Sequence, residues 1–116
     1  MIFYRDGAGG PTLAEKCSRL EIPSVTSIFE EYESTYKPRV IYCLIDKLSG
    51  TRLFSKDRDS VVNPGPGTLI DSAIVESEGD RMFDFFLIPH KATIATANPV
   101  HYKVVYNTSD FTKKDI

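Results

Sequence analysis

Two residues in this chain pair reactive chemistry with a place to use it, Asp6 and His101. Asp6 closes the apolar run Met1-Ile2-Phe3-Tyr4 after Arg5 and precedes Gly7-Ala8-Gly9-Gly10-Pro11. The C-terminal end of a strand beside a glycine-rich loop is where open α/β sheets bind ligands. An Asp-Gly pair also caps ordinary turns, so Asp6 has both readings. His101 opens the last strand-like run, after Pro99. A lone histidine there is either a structural hydrogen-bond partner or a ligand. Together, an aspartate and a neutral imidazole can serve a divalent metal, since Mg²⁺ prefers carboxylate oxygen and tolerates imidazole. Two-metal phosphodiester chemistry takes about three or four such ligands. The sequence offers two and no clear third.

Other candidates carry less. His90 sits at a loop entry. Gly7-x-Gly9-Gly10 lacks the G-x-G-x-x-G spacing of a dinucleotide fingerprint. Asp71 and Asp84 read as polar residues facing a hairpin. Cys17 and Cys43 make neither a disulfide framework nor a zinc pattern. They suit a reducing intracellular compartment. Asn107-Thr108-Ser109 matches a glycosylation sequon, which reads as chance in a chain without a visible signal peptide.

The elements that must position Asp6 and His101 are short. Residues 2–5 and 40–45 are apolar on both faces, as expected of strands inside a mixed sheet. A short helix is expected around Leu13-Ala14-Glu15-Lys16. A clearer one runs from about 23 to 36, with Pro23 in its first turn. Val25, Ile28, Phe29, Tyr32 and Tyr36 form one apolar stripe, with Glu30, Glu31 and Glu33 facing away. Pro38 ends it. Strand, helix, strand implies a right-handed crossover and a parallel pair, with the helix 23–36 packed on one face. Residues 49–61 read as a polar, mobile loop, and Asn63 to Gly67 as a turn cluster. Strands follow at 68–71, 83–88 and 101–106. The acidic stretch 76–80 reads as a hairpin loop and 90–99 as a small-residue loop. Thr112-Lys113-Lys114-Asp115 resembles a capping box at a helix start.

The chain has 116 residues, enough for one domain with a real core. With 41% hydrophobic and 26% charged residues it is neither disordered nor collagen-like. No apolar run approaches the ~20 residues of a membrane helix. Fourteen basic against sixteen acidic residues give a net charge of −2. Free-standing nucleic-acid binders carry a basic excess, because phosphate neutralisation supplies most of their affinity. Any nucleic-acid role here is therefore local, metal-assisted or shared with a surface outside this sequence. Starting within a sheet and stopping at a helix threshold, the chain is expected to be a fragment of a larger domain.

Four segments carry a family resemblance. Tyr4-Arg5-Asp6-Gly7 with Leu20-Glu21-Ile22-Pro23 resembles the YRDG…EVP stretch of Argonaute/Piwi proteins. Val62 to Asp71 is similar to their TPGTVVD segment. Phe83-Asp84-Phe85-Phe86-Leu87 with His90 resembles their F-D-F-Y/F-L…H strand. Asn98-Pro99-Val100-His101-Tyr102 resembles their R/I-P-T-H-Y. The matches fall in order over essentially the whole chain and tilt toward the Piwi branch.

The resemblance implies an α/β fold, a ribonuclease H-like mixed sheet with flanking helices, here incomplete. Residues 1–116 would be the central part of a PIWI domain. It implies a small guide RNA paired with complementary target RNA as partners, RNA-guided silencing as the role and Mg²⁺ as cofactor of a complete site. Asp6 and His101 map onto two of the four positions of the Asp-Glu-Asp-His tetrad of active members. The first Asp and the Glu lie upstream in the family, so this chain alone is expected to be inactive. The family's loop before the THY piece carries Gln-Gly and basic residues near guide phosphates. Here only Lys91 is basic, the one candidate RNA contact, and Val100 replaces the usual Thr. A binding-only PIWI module and a PIWI-derived protein-interaction domain are the alternatives. Cytoplasm, nucleus or both are the expected locations, with no membrane partner.

Overall fold

The computed structural model describes residues 1–7, 11–76 and 79–116. Its centre is a five-stranded mixed sheet of order β1-β2-β7-β6-β5, formed by β1 (Ile2–Asp6), β2 (Ile41–Asp46), β5 (Leu69–Ile70), β6 (Asp84–Leu87) and β7 (Val100–Asn107). β1 and β2 are parallel, Ile2 opposite Ile41 and Asp6 opposite Ile45. The other pairs are antiparallel. β7 carries one extra residue, Val105, against the Tyr42–Cys43 step, a β-bulge.

The parallel β1–β2 pair is as the sequence implies. β2 is buried from Ile41 to Leu44, as apolar side chains on both faces of a central strand require. The same expectation is corrected for β1. It is the edge strand, with Ile2 and Tyr4 exposed and Phe3 and Arg5 half-buried. Only one of its faces has a helix against it, so an all-apolar composition did not translate into burial.

A helical run covers one face of the sheet. It begins with α1 (Pro11–Lys16), passes through a π-helical turn (Cys17–Glu21) and continues as α2 (Ile22–Tyr32). The backbone stays right-handed helical at Lys16, Glu21 and Ile22, so the segments form one continuous run. The π turn widens the helix by one residue, which alters which side chains meet the sheet. Cys17 and Ile22 are buried there with Tyr42 and Leu44, flanked by Phe3, Leu13, Ala14, Val105 and Tyr106.

The short helix expected around Leu13–Lys16 is present as α1, and the helix expected over 23–36 begins as expected, at Ile22, continuous with it through the π turn. Its end is corrected: it stops at Tyr32, where Glu33 turns extended. Ser34 and Thr35 form a turn in which Tyr36 N–H donates to Glu33 O at 2.9 Å. None of the stripe residues is buried: Val25 and Phe29 are half-buried, whereas Ile28 is 59% and Tyr32 81% exposed. The buried anchor is Ile22, just ahead of the stripe. Tyr36 meets Phe29 and Tyr32 edge to face outside the sheet's core.

Arg5 on β1 ties the helical run to the sheet. Its Nε donates to Glu21 Oε2 at 3.0 Å, and the Tyr42 hydroxyl donates to the same oxygen at 2.7 Å. These bonds hold the Glu21 carboxyl below its ordinary range, Arg5 first and then Tyr42. A depressed carboxyl contributes stability above its unfolded pKa, about 4.3, and loses it as pH falls through the depressed value. Glu21→Gln is expected to lower the thermal midpoint by a few degrees at neutral pH and to change nothing near pH 2, where the wild-type carboxyl is protonated too. Tyrosine-fluorescence melts at high dilution read this, and equal losses at both pH values would exclude the carboxylate charge as the cause.

The other sheet face carries Ile41, Cys43, Phe83 and Val104, with Phe85 and Tyr102 against them. A third cluster of Leu53, Phe86, Ile88 and Ala97 anchors the loops around β5 and β6. Residues 49–61, expected as a mobile loop, contain a hairpin of β3 (Ser55–Asp57) and β4 (Ser60–Val62). Every residue of both strands is exposed, so no apolar alternation marked them. The turn places Arg58 at φ 51°, without the glycine that usually signals such a turn. The capping box is present, with Thr112 and Asp115 bonded reciprocally around one 3₁₀ turn, Lys113–Asp115. The glycine-rich loop expected at 7–11 begins its helix at Pro11, and its residues 8–10 lie outside the described residues. Residues 77–78 of the acidic loop do so as well.

Candidate functional site

Asp6, Asp46 and His101 lie at one end of the sheet, on the adjacent strands β1, β2 and β7. Asp6 is level with Ile45 and His101 with Asp46. Two strand spacings separate the Asp6 and His101 backbones, about 10 Å. The pleat decides the rest. Side chains at register partners share a face. Asp6 shares the face of Ile2, Tyr4 and Ile45, and His101 shares the opposite face with Lys103, Leu44 and Asp46. The structure thus brings the two residues to one edge, as expected, but does not bring their side chains together.

Each is engaged elsewhere. Asp6 Oδ2 is 2.5 Å from Lys47 Nζ, with both side chains more than half exposed. The Lys47 hydrogen bond holds the Asp6 carboxyl below its ordinary range, and the same contact raises Lys47. Asp46 Oδ1 accepts the Leu48 N–H at 2.9 Å and so shapes the turn after β2. His101 Nε2 lies 2.7 Å from Asp84 Oδ2. Its ring stacks on Phe86 with centroids 4.3 Å apart.

The reading of Asp84 as a hairpin-facing polar residue is corrected by this contact. Asp84 is 2% exposed and faces into the sheet beside His101. Its position had a usable signal. A carboxylate inside the apolar run Phe83-Asp84-Phe85-Phe86 is costly unless a partner meets it, so a nearby donor was to be sought. Asp71, by contrast, follows β5 and is half-buried.

Asp84 and His101 line a groove of about 400 Å³ with Asp46, Glu76, Lys103 and Leu44. Lys103 Nζ pairs with Glu76 Oε2 at 3.0 Å, which holds the Glu76 carboxyl below its usual range. The groove offers hydrogen-bond acceptors and one imidazole beside an apolar wall, which suits a polar ligand better than a hydrocarbon one.

Lys91 and His90 are exposed in the β6–β7 connection. That connection is held by Asn63, a residue the sequence reading placed only in a turn cluster. Asn63 Nδ2 donates to Ala95 O at 2.8 Å, and Asn63 Oδ1 accepts the Ala97 N–H at 3.1 Å.

The described residues do not by themselves fit a Mg²⁺ site. Asp6 and His101 face opposite sides of the sheet, and Asp6 is paired with a lysine. Among the described residues, no three His, Cys, Asp or Glu side chains cluster as a metal would need. Mg²⁺ dehydrates reluctantly and demands several well-placed oxygens, so two divergent donors hold it poorly. No helix of the described residues is long and apolar enough to cross a membrane.

Comparison with known proteins gives the surrounding context. The family model described as Piwi domain matches residues 1–116. Piwi-like protein Ago3 of Bombyx mori is 38% identical over 112 residues, covering 97% of this chain and 12% of that protein. Piwi-like protein 1 of Schmidtea mediterranea is 35% identical over 115 residues, covering 98% of this chain and 13% of that protein. The crystal structure of Kluyveromyces polysporus Argonaute with a guide RNA superposes with a TM-score of 0.75 at 23% identity, over 98% of this chain and 15% of that one. The chain thus spans about an eighth of the length of these curated relatives. The structural likeness establishes the fold, the ribonuclease H-like mixed α/β sheet that the family resemblance implied.

Proposed function

Because the chain belongs to the Piwi domain family over residues 1–116, we propose that it is a section of an RNA-guided silencing protein that holds a small guide RNA paired to its target. The family match over the whole chain carries this reading. A net charge of −2 sets its form. The chain supplies no general phosphate attraction, so its share of binding is to duplex shape and backbone at a few positions, with sequence read by the guide. In this reading residues 1–116 are the central part of a PIWI domain within a longer parent protein, in cytoplasm, nucleus or both.

Asp6 and His101 are two positions of the parent's cleavage centre in this proposal. Mg²⁺ is the cofactor of that complete centre, with further carboxylates from outside these residues. The Asp6–Lys47 pair favours a second reading, a Piwi module that binds without cutting, because a lysine already occupies the carboxylate a cation would need.

Purifying the parent protein from its own cells and sequencing the RNA that accompanies it tests the main reading. Small RNAs of narrow length distribution are expected, and no RNA enrichment over a mock purification would overturn it. Lys91→Ala is expected to weaken guide binding less than tenfold and to reduce the salt dependence by about one phosphate contact. Filter binding at several salt concentrations reads this, and an unchanged slope would remove Lys91 from the RNA surface.

A further inference from the structure

Arg58 occupies a backbone position that suits it poorly. It opens the two-residue turn between Asp57 and Ser60 with φ at 51°, in the left-handed region that penalises side chains other than glycine, asparagine and aspartate. Hairpin turns of this length ordinarily place one of those three residues there. Nothing in the packing calls for arginine instead. Both strands and both turn residues are exposed. The guanidinium makes no ion pair or side-chain hydrogen bond among the described residues. A strained residue kept where it packs against nothing points to a use outside the fold.

The arm that carries Arg58 has a fixed root. Asn63, the residue after β4, donates to Ala95 O at 2.8 Å and accepts the Ala97 N–H at 3.1 Å. Ala97 is buried with Phe86 and Ile88, so this end of the hairpin is tied to the core through the connection that carries Lys91. Leu53, just before β3, is buried in the same cluster and holds the other end. Within the hairpin, Lys56 shares one face with Val61, and Asp57 shares the opposite face with Ser60. Lys56 also makes no ion pair among the described residues. Elsewhere Arg5, Arg19, Arg39, Lys47 and Lys103 are each paired with a carboxylate. The hairpin therefore presents two cations that no contact neutralises.

We propose that the β3–β4 hairpin is an RNA-backbone arm, in which Arg58 at the tip binds a phosphate of the guide–target duplex and Lys56 adds a weaker contact. This contact rests on the reading of the chain as part of an RNA-guided silencing protein. A guanidinium meets a phosphate as a fork of N–H donors on two oxygens, so a single projecting arginine suffices. An acidic protein surface would need a broad basic face, which Asp57 and Asp59 deny the hairpin.

The test uses the complete parent protein loaded with guide, with filter binding of a complementary target RNA at several salt concentrations. Arg58→Gly removes the guanidinium and relieves the backbone at once, so a role in folding and a role in binding predict opposite results. Target affinity is expected to fall severalfold, by less than about tenfold, and its salt dependence to shrink by about one phosphate contact. Hydrogen exchange of the amides of residues 55–62 is expected to be as slow as in the wild type, or slower. Arg58→Asn, which also tolerates the left-handed region, is expected to behave alike. Arg58→Lys keeps the charge, so the salt dependence is expected to hold while affinity falls less. Unchanged affinity and salt dependence in both the glycine and asparagine variants would overturn the proposal and leave the functional reading standing; an acidic protein partner gives that result. Weaker affinity with an unchanged salt dependence, or faster hairpin exchange in both variants, would overturn it too. A wild type that retains no guide removes the functional reading, and the Arg58 contact with it.

Discussion

Replacing Asp6 with alanine in the complete parent protein is expected to abolish target cleavage, by roughly a thousandfold or more, and to leave guide RNA bound. The separation of the two effects follows from where Asp6 lies. It ends an edge strand, its side chain is more than half exposed, and its side-chain partner is a surface lysine. Exposed ion pairs of this kind contribute little to stability, so the fold should survive the change. In the proposed cleavage centre Asp6 would serve the reacting phosphate, a role alanine has no group to fill, so there the chemical step should not survive it. Guide retention and cleavage must be measured on the same preparation. Cleavage retained in Asp6→Ala would remove the assignment, whereas a wild type that holds guide without cleaving target would favour the binding-only reading. Loss of the guide would make Asp6 a structural residue.

The isolated 116-residue chain is expected to self-associate. The sheet face opposite the helical run is a groove of about 520 Å³ lined by Ile2, Tyr4, Ile45, Phe85, Tyr102 and Phe111 among others. Beside it the outer edge of β1 has no strand paired to it among the described residues. An open apolar face next to a bare strand edge is a template for other chains. Sedimentation at micromolar concentration should show association, and melting there should be broad. Tyr4→Lys puts a charge on both the face and the edge and should raise the soluble monomer severalfold. A wild-type monomer with a sharp two-state melt would refute this view of the face.

What the sequence made legible was whatever its local pattern determined. The parallel pairing of β1 with β2 followed from strand, helix, strand order, and the burial of β2 from its apolar run. Asp6 and His101 were traceable to one sheet edge because strand ends collect there. What it hid depended on contacts between distant segments. The exposure of Ile28 and Tyr32 reflects where the helical run leaves the sheet, and periodicity reports an apolar stripe without saying what covers it. The Ser55–Val62 hairpin has no buried face and so left no alternation. Opposite faces for Asp6 and His101 follow from register, which changes with a single residue's slip. Asp84 was the costliest omission, since a charge within an apolar run was itself the clue.

The bulge at Val105 gives β7 one residue more than its partner needs between Tyr106 and His101. This makes the strand unequally tolerant of changes in length. A chain shortened by one residue between those two positions can recover a regular ladder, with His101 still opposite Asp46 and still beside Asp84. A chain lengthened by one residue has already spent that allowance. It must form a second bulge or turn His101 to the other side of the sheet, away from its aspartate. Within this stretch, descendants of this sequence can lose a residue without losing the dyad, but they cannot gain one as easily.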